Sequence, residues 1–326
     1  MRRKKVLYSS PFIPAEWISA HGLVPSRKAC VQNDPGMPVD VVAGVCPYMR
    51  SFVNHASGDS DVLSIILTTM CDQMRRGYDF VVQRTGVPCF LLHIPSSWQT
   101  AGVHRLYRRE LERLGEFLVS LGGSVPESGR LAAVMLDYDR KRRMLADQGK
   151  LTDRQFAEAL SRFHETGELP EDREDSGLAA KKIPLGFVGG PLTEYHFDVF
   201  DIFNQLGARI AVNGTETGVR TLPARFDRRR LMHDTMDVLS GSYFGTIPEV
   251  AERPNDRIFT WVNKEIADHG LRGMVLFRYT WCDKWHGEVQ RFREALPVPL
   301  LDIELSGERI DERTKNRIQA FMEVLS

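Results

Sequence analysis

The sequence predicts an α/β protein with two lobes, each built on a parallel sheet. Short runs rich in aliphatic and β-branched residues recur along the chain, and a glycine, proline or serine break precedes a helical pattern after most of them. This alternation is typical of βα units, which place helices on a parallel sheet. A charged stretch without strand-like runs divides the chain near its middle. We therefore expect two doubly wound α/β lobes with parallel sheets, joined by a helical connector.

The first lobe is expected over residues 1–123. Its strand candidates cover residues 41–44, 62–68 and 89–94, each rich in aliphatic side chains. Apolar residues then recur every three or four positions up to the glycine pair 122–123, as in an amphipathic helix that ends at a glycine. These apolar positions are Tyr107, Leu111, Leu114, Leu118 and Leu121.

The connector is expected over residues 124–180. It contains no strand-like run and is dense in charge. Two helical stripes are visible, and the second follows Thr152, whose spacing to Gln155 is that of a capping box. The stripes consist of Leu131, Val134, Met135 and Tyr138, then of Phe156, Leu160 and Phe163. Residues 168–177, with one proline and five acidic residues, indicate a solvated linker.

The second lobe is expected over residues 181–326, where the βα pattern returns. A strand over 185–188 precedes the turn Gly189-Gly190-Pro191 and a helix over 193–206. The remaining candidates are strands over 209–212, 274–279 and 300–303 and a last helix over about 311–325. Each lobe is therefore expected to be doubly wound, as in Rossmann- and flavodoxin-like sheets, with a ligand site in the cleft between the lobes.

The composition excludes some classes of function. The 326 residues include 43 Lys plus Arg and 43 Asp plus Glu, so the basic excess typical of a nucleic-acid reader is missing. No run approaches the roughly 20 apolar residues of a membrane span. The start Met1-Arg2-Arg3-Lys4-Lys5 is followed by no apolar signal-peptide segment. We therefore expect a cytoplasmic protein that binds neither nucleic acid nor membrane.

Three of the five cysteines share one context. Cys46, Cys71 and Cys282 each lie a few residues beyond the end of a predicted strand, at the sheet edge where doubly wound folds bind ligands. Pro47 suits the first position of a helix, so the thiolate of Cys46 would face free N–H groups that lower its pKa. Three thiolates from both lobes would be able to hold an iron–sulfur cluster and leave one iron free for another ligand.

The spacing of these cysteines also allows a simpler interpretation. They lie 25 and 211 residues apart, which matches no local zinc or ferredoxin pattern, and the chain contains no C-x-x-C. Free cysteine is among the most buried residue types, so three inert core thiols are the alternative. Cys89 lies in an apolar run and is expected in the core, and Cys30 is left unassigned. The odd number of scattered cysteines argues against a disulfide framework.

Several polar or glycine positions lie beside the expected cleft. Arg50 and Ser51 follow Cys46 by one helical turn, and Gly189-Gly190 precedes a helix that could receive a phosphate at its N-terminus. Asn213 ends a strand of the second lobe. Each also has an ordinary explanation, as helix surface or as turn chemistry.

The chain resembles the 2-hydroxyacyl-CoA dehydratase and benzoyl-CoA reductase family, in particular its smaller (beta, or D-component) dehydratase subunit. Segments similar to that family occur in the family's order, and three of them contain the cysteines discussed above. The segments are Pro14-Ala15-Glu16-Trp17-Ile18, Gly22-Leu23-Val24-Pro25, Cys46-Pro47-Tyr48-Met49-Arg50-Ser51, Thr69-Met70-Cys71-Asp72-Gln73-Met74, Tyr279-Thr280-Trp281-Cys282-Asp283, 299–304 and 317–321.

The resemblance implies a [4Fe-4S] cluster held by Cys46, Cys71 and Cys282 in the cleft. It implies a subunit of a lyase that removes water from a 2-hydroxyacyl-CoA through a ketyl radical. One electron comes from a separate ATP-hydrolysing iron–sulfur activator, because this chain has no G-x-x-x-x-G-K-[ST] loop. The implied partner is a related larger subunit or a second copy of the chain.

The resemblance also suggests roles for individual residues and leaves alternatives. Glu16 and Ser51 are candidate catalytic residues, and the candidate substrate-binding residues are Arg50, Gly189, Gly190 and Asn213. One alternative within the family is a subunit of an ATP-dependent reductase of the benzoyl-CoA type. Two others are an electron-relay or scaffold subunit whose cluster never touches substrate, and a two-lobed binding protein without metal.

Overall fold

The described part of the chain forms two four-stranded sheets in which all neighbouring strands are parallel, as the sequence predicts. The computed structural model describes residues 4–28, 44–146, 151–169, 182–305 and 309–326. The strands of the first sheet are β1 (Lys5–Tyr8), β2 (Val24–Arg27), β3 (Val62–Thr68) and β4 (Cys89–Leu92). The strands of the second sheet are β5 (Ile183–Gly189), β6 (Ala208–Thr215), β7 (Gly273–Tyr279) and β8 (Leu300–Leu305).

Both sheets have the same strand order. The first runs β2-β1-β3-β4 and the second β6-β5-β7-β8, so each lobe begins in the middle of its sheet and winds outward in both directions. This is the order of the first four strands of a flavodoxin-like sheet, and it confirms the doubly wound fold. The winding direction changes between β1 and β3 in one lobe and between β5 and β7 in the other. Ligands of such sheets bind beyond the carboxyl ends of the strands at these switch points.

The predicted strands differ from the observed ones mainly in the first lobe. The strand predicted over 62–68 is confirmed with the same bounds. The strand predicted over 89–94 ends at Leu92, whereas the strand predicted over 41–44 lies, apart from Gly44, outside the described residues. Strands β1 and β2 were not predicted, because the short apolar run of β1 directly follows a basic segment and β2 contains Pro25.

Helices flank both sheets. In and after the first lobe they are α1 (Ala15–Ala20), α2 (Pro47–Gly58), α3 (Asp72–Thr85), α4 (Ala101–Ser120), α5 (Ser128–Ala146) and α6 (Asp153–Thr166). The second part of the chain adds α7 (Asp198–Gln205), α8 (Arg228–Leu231), α9 (Thr235–Phe244), α10 (Asp256–His269), α11 (Asp283–Ala295) and α12 (Glu312–Leu325). None of the helices that the structure describes combines the length and apolar character needed to cross a membrane.

The connector consists of α5 and α6, and the predicted capping box begins α6. The Thr152 hydroxyl accepts a hydrogen bond from the Gln155 N–H at 3.2 Å, and the Thr152 N–H donates to the Gln155 side chain at 2.9 Å. Helix α5 packs against α1, and α6 packs against both β2 and β6. The connector therefore contacts both sheets. The predicted linker over 168–177 lies, apart from its first two residues, outside the described part of the chain.

The two lobes share their apolar interior. One core cluster contains residues of both sheets, among them Leu7 and Leu67 from the first and Phe187 from the second. Helices α8 and α9 follow the second lobe's first strands in the chain but pack with the core of the first lobe. There Phe244 stacks on Tyr107, with ring centroids 5.0 Å apart. The two sheets therefore come from separate parts of the chain but share apolar packing.

Candidate functional site

A pocket of about 290 Å³ lies at the switch points of both sheets. Its walls come from the segments that follow β1, β2 and β3 in the first lobe and β5, β6 and β7 in the second, together with residues 249–253 between α9 and α10. Cys46, Cys71 and Cys282 all line it. The structure thus brings together three thiols that are far apart in the sequence.

Cys46 and Cys71 are held in the same way, as N-caps of helices. The Cys46 sulfur accepts a hydrogen bond from the Met49 N–H at 3.5 Å, and the Cys71 sulfur accepts one from the Met74 N–H at 3.4 Å. The Cys46 N–H also donates to the Gln73 side chain at 2.7 Å, which ties the start of α2 to the start of α3. The free N–H groups of two helix ends therefore orient both thiols.

Cys282 is held differently. It precedes α11 but makes no side-chain capping bond with the described residues, and its N–H donates to the Tyr279 carbonyl at 3.0 Å. The preceding Trp281 has φ of +69°, and no other non-glycine residue in the described part of the chain has a positive φ. Its ring is 63% exposed at the pocket. Bulky residues rarely adopt this left-handed conformation, so the turn that carries Cys282 is strained.

Burial dominates the protonation of the three thiols. It raises the pKa of Cys46 to about 12 and that of Cys282 to about 11, and it also raises the pKa of Cys71. The expectation that the helix N-terminus lowers the pKa of Cys46 was wrong, because the cost of burying a thiolate exceeds the gain from two N–H groups. Without a positive group bound in the pocket the three thiols are therefore protonated at neutral pH. A metal centre would reverse this, because a thiol that coordinates a metal loses its proton.

The three thiols around the pocket form a donor set of the kind that holds an iron–sulfur cluster. Among the described residues, no group of three or more His, Cys, Asp or Glu side chains is arranged to hold one metal ion. A cluster requires a different arrangement, because each thiolate binds a different iron and the three sulfurs lie around the cluster and not around one ion. Three cysteines around one pocket meet that requirement, and thiolate is the usual ligand of such clusters.

The other predicted site residues are distributed unevenly. Gly190 lines the pocket, and its N–H donates to the Phe277 carbonyl at 2.9 Å. Gly189 lies at the end of β5 with φ of +137°, where a Cβ would lie 2.0 Å from the same carbonyl oxygen, so only glycine fits. Arg50 and Ser51 lie on α2, Arg50 half-buried and Ser51 buried, and neither is among the described residues that line the pocket.

Asn213 and Glu16 are bound to other parts of the protein. The Asn213 side chain accepts hydrogen bonds from the Thr215 N–H and hydroxyl, which stabilises the end of β6. The fully buried Glu16 carboxylate accepts hydrogen bonds from Arg142 of the connector and from the Tyr243 hydroxyl, the latter at 2.6 Å. Glu16 therefore joins α1, α5 and α9 in the interior, and the geometry gives no support to its catalytic assignment.

Charged residues of the second lobe also line the pocket, and no sequence pattern had indicated them. Glu249 is buried and pairs with the fully buried Arg220 at 3.1 Å, which also donates to the carbonyls of Gly214 and Pro248. Glu216 follows β6, and burial together with the nearby Glu249 raises its pKa. The sequence analysis placed Asn213, three residues before Glu216, beside the expected cleft, and Glu249 lies in a segment without periodicity.

Fold and site together define a two-lobed α/β protein whose three cysteines meet at paired switch points. The sequence profile of the family described as 2-hydroxyglutaryl-CoA dehydratase, D-component, matches residues 11–325. The chain belongs to this family. No curated protein sequence matches the chain.

Proposed function

We propose that the chain is the iron–sulfur subunit of a 2-hydroxyacyl-CoA dehydratase. The observation that carries this proposal is the meeting of Cys46, Cys71 and Cys282 in one pocket at the switch points of both sheets. Membership of the dehydratase D-component family supports it over nearly the whole chain. The three cysteines would hold a [4Fe-4S] cluster, which when bound supplies one-electron chemistry and an iron that no cysteine occupies.

The proposed reaction removes water from the acyl group. The bond between C2 and its hydroxyl oxygen breaks, a proton leaves C3, and a double bond forms between C2 and C3. We propose the radical route through a ketyl, in which a separate ATP-hydrolysing iron–sulfur activator supplies one electron that is returned at the end. No net oxidation or reduction of the acyl group results.

The pocket residues of this chain would exclude water and fix the thiols. Phe12, Met49, Met74 and Trp285 are buried and contribute apolar surface to the pocket. Such a lining keeps water from a reactive radical and strengthens electrostatic interactions inside the pocket. Gly190 brings backbone close to the same space without a side chain. The acyl-CoA would bind jointly with a related larger subunit or a second copy of the chain.

One observation favours an electron-relay role within the same enzyme. At about 290 Å³ the pocket lies at the lower limit of small-molecule sites before any cluster is placed in it. A relay subunit would pass an electron to a substrate bound in its partner. The EPR spectrum of the cluster separates the two roles, because acyl-CoA substrate alters the spectrum of a cluster that it touches and leaves that of a relay unchanged.

Anaerobic reconstitution with iron and sulfide tests the cluster. We expect the wild-type chain to take up iron and sulfide, and we expect Cys46→Ala, Cys71→Ala and Cys282→Ala each to lose most of it. Cys89→Ala is the matched control, since Cys89 is a half-buried thiol on β4 outside the pocket wall. Full iron content in all three pocket variants would show that the cluster site is wrongly placed.

A further inference from the structure

Lys284 is a pocket cation that no motif indicates. It is the second residue of α11, two positions after Cys282, and it lines the pocket half-buried. Its ammonium has no hydrogen-bond or ion-pair partner among the residues that the structure describes. A half-buried charge without a partner is unusual, because burial of an unpaired ion costs free energy.

The other pocket cations already have partners. The Arg253 guanidinium donates to the carbonyls of Val250 and Glu252 and lies 3.5 Å from the Glu288 carboxylate. Beneath the pocket, Arg220 is fully buried against Glu249. Lys284 therefore remains as the positive charge that can respond to whatever occupies the pocket.

Lys284 lies in the same pocket wall as one of the thiols. It lines the pocket together with Cys46, Cys71 and Cys282, and it follows Cys282 by two residues at the start of α11. Its ammonium therefore faces the space that the three thiols surround, where a positive charge stabilises any negative charge placed there.

We propose that Lys284 is the counter-charge of the cluster and raises its reduction potential; this rests on the proposed function. Three thiolates give a [4Fe-4S] cluster a net negative charge, and one-electron reduction makes that charge more negative without breaking a bond. A nearby ammonium stabilises the reduced form more than the oxidised form, and net charge around a cluster is a known determinant of its potential. The N-terminus of α11 adds positive potential on the same side.

An EPR-monitored redox titration of the anaerobically reconstituted chain tests this role. Lys284→Met keeps the length of the side chain and removes the charge, and Lys284→Arg keeps the charge. At the wild-type midpoint we expect Lys284→Met to lower the ratio of reduced to oxidised cluster about tenfold, which is ~59 mV for one electron. Lys284→Arg is expected to keep the wild-type ratio. The control is Lys264→Met, whose exposed ammonium on α10 pairs with Asp268.

The possible outcomes separate the two proposals. Normal iron content with an unchanged potential in Lys284→Met overturns the role of Lys284 and leaves the proposed function intact. Absence of iron from the wild-type chain overturns the proposed function and this inference with it. Where Lys284→Met fails to take up iron, Lys284→Gln provides the second neutral variant, with the same expected shift. A shift of equal size in Lys264→Met also contradicts the proposal.

Discussion

The two halves of the cysteine pocket differ in chemistry. The described residues that line it from the first lobe are mostly apolar, and the one charged side chain among them, Asp72, is 86% exposed. Five charged side chains line the half that comes from the second lobe. They are Glu216, Glu249, Arg253, Asp283 and Lys284. One wall is therefore stabilised by apolar packing and helix capping, and the other carries charges that range from the buried Glu249 to the exposed Arg253 and Asp283.

This difference shows how one fold can supply two kinds of wall to one site. The first lobe holds Cys46 and Cys71 with the regular geometry of two helix N-termini. The second lobe holds Cys282 after a left-handed tryptophan and supports the wall from below with a buried ion pair. We therefore expect a substitution in the buried ion pair to lower the free energy of unfolding more than a substitution of Cys46 or Cys71.

The largest effect is expected for Arg220→Met. Arg220 is fully buried, and its removal leaves the Glu249 carboxylate without its partner in the interior. Breaking a buried pair by deleting one member costs about 3–5 kcal/mol, because an uncompensated charge remains buried. We expect the free energy of unfolding of the metal-free chain in urea to fall by this amount.

Arg230→Met is the matched control for this variant. Arg230 also belongs to the second part of the chain and pairs with Asp237, but both side chains are at least half exposed. Exposed pairs contribute about 0–1 kcal/mol, so this variant should unfold almost as the wild type does. If the two variants lost equal stability, the buried pair would not be the support of the charged wall.

An intermediate, pH-dependent change in the free energy of unfolding is expected for Glu252→Gln. This carboxylate lies between Ala251 and Arg253 of the pocket wall, and neither oxygen has a hydrogen-bond partner in the described part of the chain. The nearest cation is Arg257, at 3.6 Å. Burial raises the pKa of Glu252 to about 7.

The sign of this dependence follows from proton binding. Between about pH 5 and pH 7 the folded chain keeps the Glu252 proton while the unfolded chain loses it, so stability falls as pH rises through this window. Glu252→Gln carries no charge at any pH. We expect its free energy of unfolding to exceed that of the wild type by about 1–3 kcal/mol at pH 8, and the difference to shrink towards pH 5. Urea unfolding at both pH values measures it.

Asp268→Asn provides the control for the pH series. Asp268 is exposed, and the hydrogen bond from Lys264 holds its pKa below the ordinary value, so it stays ionised from pH 5 to pH 8. The difference in free energy of unfolding between Asp268→Asn and the wild type should therefore stay constant from pH 5 to pH 8. If the difference in free energy of unfolding between Glu252→Gln and the wild type also stayed constant from pH 5 to pH 8, burial would not raise the pKa of Glu252 as proposed.

The comparison of the two walls also explains what the sequence could predict. The capped wall follows from local signals, since Cys46-Pro47 marks a helix start and Cys71 follows the strand Val62–Thr68. Cys282 was found by the same position after a strand. The charged wall has no such signal, because Arg220 comes from a single 3-10 turn and Glu249 from a loop, and the two meet only through the fold. At Glu16 a local signal was misleading. The residue lies at a helix start in a motif segment, but its carboxylate is buried and bound by residues distant in the sequence.

The smallest change in the free energy of unfolding is expected for substitutions of the two capping cysteines, Cys46 and Cys71. In the metal-free chain the Cys46 and Cys71 sulfurs accept N–H bonds that alanine cannot accept and serine can. Loss of an N-cap costs about 1 kcal/mol, so Cys46→Ala and Cys71→Ala should each be less stable than the corresponding serine variants by this amount. Urea unfolding of the four metal-free variants measures the difference.

Cys282 supplies the control within the same pocket. Its sulfur makes no side-chain capping bond that meets the geometry of those at Cys46 and Cys71, so alanine and serine should differ less at this position than at the other two. A difference at Cys282 as large as that at Cys46 would mean that all three thiols act as helix caps. The two walls would then hold their cysteines in the same way, and the contrast between them would reduce to the buried charges alone.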